Sequence, residues 1–404
     1  MLTQAVTLTE LWPADSVIVQ RPADDSLDWL PKAPTWRERS SVVPLMLSGS
    51  LPIICHEAGI MPAGLELLRD CGFRLPAEIM GFRNAEHMRE LVADQVRRGR
   101  KIGITYARRH LLAPPEAHVN HPATIAYLND KANLAELLPP DSFPERCVLP
   151  AQAALSVARA GGRFPLVLKV SSRLGTAAGA DVVICSTAAD VEAAGRALAA
   201  ADRLVVEAYV EFTSTWCLSF AVGENSITYL GAAEQICDER GTYLGNWCNG
   251  TDPGAEAIAS GWHAARAGQA RGYRGFFGAD AGRTESGRAY VFDLNYRNNG
   301  STPQVLLRDS ITRAWDAPVT RNCFGVVFNG TYDELIAQLR SFFSRRAVVP
   351  LLTFDTKQLG TADTRPFCNL LVAGRDPQSV NAVTAALGQA GFEVPALPCT
   401  PGSH

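Results

Sequence analysis

The chain has 404 residues, 47% hydrophobic and 20% charged, with 38 Lys and Arg against 41 Asp and Glu. That composition predicts a folded globular protein of two or three lobes of roughly 100–200 residues each. The balanced charge argues against nucleic acid or an anionic membrane as partner. The ten cysteines are scattered, with no CxxC pair, as free thiols in a reducing compartment would be. The first residues lack a basic start followed by an apolar core, and no apolar run approaches the ~20 residues of a membrane span, so the expected location is the cytoplasm.

Residues 1–40 hold Pro and Trp without periodicity and read as an irregular segment. From 42 to about 120 strands alternate with helices: "LPIIC" (51–55) is a buried strand, "AEHMRELVADQVRRG" (85–99) a helix closed by Gly99, and "KIGITYA" (101–107) a second strand. Such alternation predicts a mostly parallel, Rossmann-like sheet. No GxGxxG follows its strands, so a dinucleotide site there has no support. "LLAPPEAHVNHP" (111–122) reads as a linker, and "ATIAYLNDKANLAELL" (123–138) has a helical pattern. "FPLVLKV" (164–170) and the segment ending in "VVIC" are strands around a small-residue turn. A helix over 186–201 carries Thr187 and Asp190 at capping-box spacing. "RLVVEAYV" (203–210), "WCLSFAVG" and "SITYLGAAEQI" are further strands, followed by a Gly- and Asn-rich loop over 238–254 and a helix around 256–271. Toward the end come strands "VVPLLTF" and "FCNLLVAG" and a helix over 377–390, with Asp376 as N-cap, Pro377 at its first position and Gly391 beyond it.

The chemistry concentrates in "GFFGADAGRTESGRAYVFDLNYR". Read as a hairpin with its turn centred between Ser286 and Gly287, it sets Asp280 opposite Asp293, with Asn295 on the face of Asp293 because strand side chains alternate. Facing like charges destabilise a sheet, and a divalent cation reverses that cost; all-oxygen ligands suit Mg²⁺. Two solvated acids on a hairpin are the plainer reading of the same residues. Lys169 closes an apolar strand and precedes "SSRLGTAAGA", whose backbone N–H groups can approach phosphates, although on these residues alone a lysine snorkelling from a strand end is the better explanation. Glu207 interrupts an apolar strand, as an edge-strand glutamate in solvent also would. Lys131 in "NDK" carries no signal by itself. Cys55-His56 raises a hydrolase reading, but neighbours on a strand point to opposite faces, and His263 fits a helix surface.

Taken in order, "NDK" (129–131), "PLVLKVSS…GTAAGADV" (165–182), "VVEAYVE" (205–211), "FFGAD" (276–280) and "FDLNYR" (292–297) resemble the ATP-grasp superfamily, and the N-terminal lobe resembles the pre-ATP-grasp domain that precedes it. The resemblance implies an α/β fold divided as a Rossmann-like domain over 1–120, a subdomain with a phosphate lid over 121–215, a subdomain with the metal hairpin over 216–330, and a C-terminal α/β extension over 331–404. It implies ATP and Mg²⁺ as cofactors. Lys131 and Lys169 then contact the nucleotide, and the 171–179 loop, with Ser171 and Gly175, is its phosphate lid. Glu207 meets the adenine amino group, with Tyr209 and Val210 at the hinge and Glu211 in place of the usual ribose acid. Asp280, Asp293 and Asn295 bind Mg²⁺, with Asp where the family more often has Glu, and Arg297 stabilises an acyl phosphate. The implied activity is an ADP-forming ligation of small-molecule carboxylate and amine substrates, resembling stand-alone amino-acid ligases; a homodimer is compatible with it. The loop "CDERGTYLGNWCNG" (237–250) offers aromatic and amide groups to a small polar substrate. A carboxylase, a nucleotide-biosynthetic ligase and a non-catalytic ATP-binding protein are the alternatives, and retention of both acids, Asn295 and Arg297 speaks against the last.

Overall fold

The alternating N-terminal pattern folds into a four-stranded parallel sheet, seen in a computed structural model that describes residues 2–24, 33–161, 163–176, 179–238, 243–360 and 363–395. Its strands are β1 (Ser16–Ile18), β2 (Ile53–His56), β3 (Ile79–Phe82) and β4 (Lys101–Gly103), in the order β3-β2-β1-β4. β1 lies in the segment expected to be irregular. Only three residues long, it shows no periodicity, but Ser16, Val17 and Ile18 are all buried between β2 and β4. The helix Ala85–Arg97 starts at Asn84, whose side chain accepts from the His87 N–H at 2.9 Å.

Cys55 and His56 end β2 inside this core. Burial pushes the Cys55 thiol up to about 12, far from the nucleophilic thiolate that a hydrolase needs. His56 Nδ1 accepts from the Ala58 N–H at 3.1 Å and caps the turn that follows, which fixes the imidazole as neutral. Burial, the largest influence, holds its pKa below the ordinary value of 6.5. The native state therefore binds fewer protons at His56 than the unfolded chain does, and stability is lost as pH falls below 6.5 toward the depressed native pKa. His56→Asn keeps a capping acceptor and removes this titration. The variant should melt lower than wild type at pH 7 but lose less on going to pH 5, as thermal denaturation at the two pH values would show.

The helical pattern over 123–138 is broken into Pro122–Leu128 and Leu134–Leu137, with a 3₁₀ turn at Lys131–Asn133 between them. Asp130 causes the break, because its carboxylate accepts from the Ala132 N–H at 3.0 Å and starts a new turn. The second sheet holds β5 (Arg146–Pro150), β6 (Leu166–Ser171), β7 (Val182–Cys185) and β8 (Arg203–Ala208), ordered β5-β8-β6-β7 and antiparallel throughout. The Thr187–Asp190 capping box forms as its spacing predicts.

The third sheet contains β9 (Ser214–Val222), β10 (Ile227–Cys237), β11 (Tyr243–Cys248), β12 (Gly275–Arg283), β13 (Ala289–Asn295), β14 (Val319–Phe328), β15 (Val348–Phe354), β16 (Phe367–Gly374) and β17 (Phe392–Glu393). β11 corrects the expected loop over 238–254. Its Gly245 and Asn246 look like loop residues, yet Gly245 has φ 144° and a Cβ there would collide with the Asn322 carbonyl of β14, so glycine is what lets the strands approach. One continuous core joins the N-terminal lobe to β14, β15 and β16, with Leu45, Met46 and Ile53 in the same cluster as Val326, Leu351 and Leu371. The helix Ala255–Ala270 packs its small residues under β9 and β12. Among the described residues no helix is long and apolar enough to cross a membrane, and the nine described cysteines are free thiols.

Candidate active site

β12 and β13 bring Asp280 directly opposite Asp293, as the hairpin reading requires. Toward the turn, Ala281 pairs with Val291, so Phe292 is an extra residue bulged out of β13, and the five-residue turn is centred on Ser286 instead of between Ser286 and Gly287. The bulge lets the Phe292 carbonyl turn toward the second sheet, where Lys169 Nζ donates to it at 2.8 Å.

One cavity of about 500 Å³ collects Lys131, Asp181, Asp280, Asp293, Asn295 and Arg297 from three parts of the chain. Lys131 reaches it because the helix breaks at Asp130; its Nζ lies 2.8 Å from Asp293 Oδ1 and 3.5 Å from Asp181 Oδ2. Burial pulls the Lys131 pKa down, but Asp181 and Asp293 outweigh it and hold it above the ordinary lysine range. Burial likewise favours the neutral form of Asp293, and Lys131, then Lys169 and Arg297, reverse this so that its pKa lies below the usual carboxylate range. Asp280 behaves in the opposite way. Burial first and the Asp293 charge second push it up to about 7, and the hydrogen bond from Asn295 Nδ2 to its Oδ2 at 3.1 Å does not prevent this. A carboxylate pair with one member driven toward neutrality is short of positive charge, and the two carboxylates, with the amide oxygen of Asn295 once its side chain turns from the present Nδ2 contact, offer oxygen ligands. The residues present therefore fit Mg²⁺.

Arg297 follows two residues after Asn295. Its guanidinium lies 5.6 Å from the centre of the Tyr106 ring, its Nη2 donates to the Thr176 carbonyl at 3.4 Å, and among the described residues no carboxylate ion-pairs with it. Gly175 sits against Tyr106, where a Cβ would press on the ring. The start of the 171–179 loop thus meets the N-terminal lobe at Arg297. Ala177 and Ala178 of that loop, and Glu239–Thr242 of the segment 237–250, lie outside the described residues.

Lys169 and Glu207 form a second cluster outside the cavity lining. Lys169 Nζ contacts Glu207 Oε1 at 2.6 Å, and Arg146 Nη1 lies 3.3 Å from Glu207 Oε2. Arg146 and Glu207 are cross-strand partners on β5 and β8. Burial lowers the Lys169 pKa, and Glu207 only partly offsets it. Ser171 donates to Asp130 Oδ1 at 2.8 Å, tying β6 to the turn that carries Lys131. Tyr209, Val210 and Glu211 lie between β8 and β9, with Tyr209 40% exposed. None of these lines the cavity. Sequence reasoning missed Asp181 and Arg146. Asp181 immediately precedes the "VVIC" strand, and Arg146 becomes visible only once β5 is paired with β8.

Two family descriptions match the chain: "L-aspartate–L-methionine ligase, ATP grasp" over residues 144–295 and "L-aspartate–L-methionine ligase N-terminal domain" over 7–126. Among solved structures, an ADP complex of an N5-carboxyaminoimidazole ribonucleotide synthetase superposes with a TM-score of 0.59 at 11% identity, covering 96% of this chain and 98% of that one. An L-amino acid ligase from Bacillus licheniformis gives 0.56 at 12% identity, covering 94% and 98%. The biotin carboxylase domain of the Hydrogenobacter thermophilus 2-oxoglutarate carboxylase, with MgADP and bicarbonate, gives 0.57 at 13% identity, covering 96% and 91%. At these identities the superpositions establish the shared fold.

Proposed function

The chain belongs to the ATP-grasp ligases, and from that premise we propose that it joins two amino acids through an acyl phosphate, with L-aspartate and L-methionine the first pair to test. The observation that carries this reading is the in-register Asp280/Asp293 pair in one cavity with Arg297, which no carboxylate among the described residues ion-pairs. In the first step a carboxylate oxygen of the acyl donor attacks the γ-phosphorus of ATP. The bond to the β-phosphate oxygen breaks, and ADP leaves. In the second, the amine lone pair of the other substrate attacks the acyl carbon, phosphate departs with the electrons of the C–O bond, and the amine loses a proton to water.

Asp280, Asp293 and Asn295 would hold Mg²⁺, which supplies charge neutralisation for the phosphates. Lys131 and Lys169 serve the nucleotide as cations, and Ser171 and Gly175 belong to the loop over its phosphates. Glu207, Tyr209, Val210 and Glu211 form the adenine and ribose edge. In this role Glu207 exchanges its contact with Lys169 for the nucleotide, which frees the Lys169 ammonium for phosphate. Arg297 sits where charge develops on the transferring phosphoryl group.

ATP consumption assayed with pairs of amino acids tests the reading. ADP and phosphate should appear in step with dipeptide. AMP with pyrophosphate would reject the acyl phosphate, and ADP release driven by bicarbonate without amino acids would instead indicate a carboxylase. Small-molecule substrates suffice for this chemistry, and a homodimer is compatible with it.

A further inference from the structure

The cavity has a second end, built by the N-terminal lobe and the C-terminal strands. The helix Pro34–Val42 sends Arg39 into it, together with Ser40 and Trp36. Arg39 passes over Gly325, where a Cβ would collide with its Nη1, and its guanidinium lies 5.7 Å from the centre of the Phe367 ring. Gly325 has φ 57°, so a side chain there is disfavoured twice over. Among the described residues Arg39 has no hydrogen-bonding partner for its guanidinium and no carboxylate within ion-pair distance. A partly buried cation held in place by an aromatic ring and a glycine, with no carboxylate among the described residues paired to it, is arranged for an anion that arrives with a ligand. The carboxylates that line the cavity, Asp181, Asp280 and Asp293, lie near Lys131 and Asn295. Val43, Met46, Phe324, Leu351 and Leu352 give the same cavity apolar lining, beside the polar Ser40, Tyr106 and Asn369, whose amide oxygen accepts from the Gly325 N–H at 2.8 Å.

We propose that Arg39 binds the free α-carboxylate of the amino acid that donates the amine, with that substrate's apolar side chain against Val43, Met46, Phe324, Leu351 and Leu352. This rests on the ligation reading and deepens it. A dipeptide ligase must hold two carboxylates with opposite fates. The acyl donor's reacts, and belongs beside Arg297 and the Asp280/Asp293 pair. The amine donor's survives as the C-terminus of the product, and on entering the cavity it needs a cation that takes no part in phosphoryl transfer. A bidentate guanidinium meets that need. The apolar residues of the cavity lining suit the side chain of the amine donor better than a second acidic group of the acyl donor.

Two assays on the full chain separate this inference from the reading beneath it. With hydroxylamine replacing the amine donor, formation of the acyl hydroxamate reports the first half-reaction. Wild type should form hydroxamate from ATP and an amino-acid acyl donor, L-aspartate first; failure with every amino acid would remove the ligase reading itself. In the complete reaction, Arg39→Gln should raise the KM for L-methionine about 100-fold, as expected for removing one partner of a desolvated charge pair. The KM for the acyl donor in the hydroxamate assay should stay within about twofold, since additivity predicts little coupling to a site that Arg39 does not touch. Wild type should also prefer L-methionine over L-methioninamide, which lacks the negative charge, and Arg39→Gln should abolish that preference while Arg39→Lys restores part of it. A rise in acyl-donor KM, an unchanged L-methionine KM, or a preference for the carboxylate that survives in Arg39→Gln would each overturn the assignment.

Discussion

Arg297→Ala should keep most of the rise in melting temperature that Mg²⁺-ATP produces and lose dipeptide formation by about 10²–10³-fold, the cost of deleting one charge-stabilising donor at a phosphoryl or acyl centre. The separation follows from where Arg297 sits. Its present contacts are the Tyr106 ring and the Thr176 carbonyl, so no ion pair among the described residues is broken by its removal and the apo protein should melt close to wild type. The proposed nucleotide cations, Lys131 and Lys169, remain with their own partners. Saturation at about 100 times Kd stabilises a protein by about 2.7 kcal/mol, and the variant should retain most of that. The loss should fall on kcat, because the interaction is made in the transition state. Differential scanning fluorimetry with and without Mg²⁺-ATP, set beside steady-state kinetics, measures both halves. Loss of the thermal shift would move Arg297 into nucleotide binding.

Asp280→Asn should show a crossover. Without ligand, Asp280 is an ionising group that burial and Asp293 have pushed up to about 7, and each unit of such a shift corresponds to about 1.4 kcal/mol between the charged and neutral forms. Replacing it by an isosteric amide relieves that repulsion and leaves the Asp293–Lys131 pair intact. The apo variant is expected to melt a few degrees higher than wild type at pH 8. With Mg²⁺-ATP it lacks an anionic ligand, so its thermal shift should shrink and turnover should fall about 10³-fold or more. A variant that responds to Mg²⁺-ATP like wild type would place the metal elsewhere.

Much of the site was legible because its spacing is local. The facing of Asp280 and Asp293 depends only on a hairpin fifteen residues across or less, and period-two alternation then places Asn295. The Phe292 bulge was not legible: it gives Lys169 a carbonyl from a strand of a different sheet. Lys131 looked like an ordinary helix lysine, and only the Asp130 cap, which breaks the helix, explains its position. Arg146 and Asp181 were missed for the same reason, since their importance lies in pairings across strands and lobes. At the level of the fold, the parallel N-terminal sheet followed from strand–helix alternation. β11 did not, because Gly245 and Asn246 carry loop chemistry that burial between two strands overrides. The helix Tyr332–Ser344 could have been found, since Thr331 and Glu334 form a capping box at its start. Arg39 carries no sequence signal at all; only the joining of the N-terminal lobe to β14, β15 and β16 brings it into the cavity.

The central claim is that the Asp280/Asp293/Arg297 cavity runs ligation through an acyl phosphate. Isotope transfer tests it most directly. The acyl donor is supplied with both oxygens of its carboxylate labelled with ¹⁸O, the reaction is run to completion, and the phosphorus products are read by ³¹P NMR isotope shifts. The account predicts one ¹⁸O atom in each phosphate released and none in the nucleotide. Label in AMP, or unlabelled phosphate alongside labelled dipeptide, would contradict it.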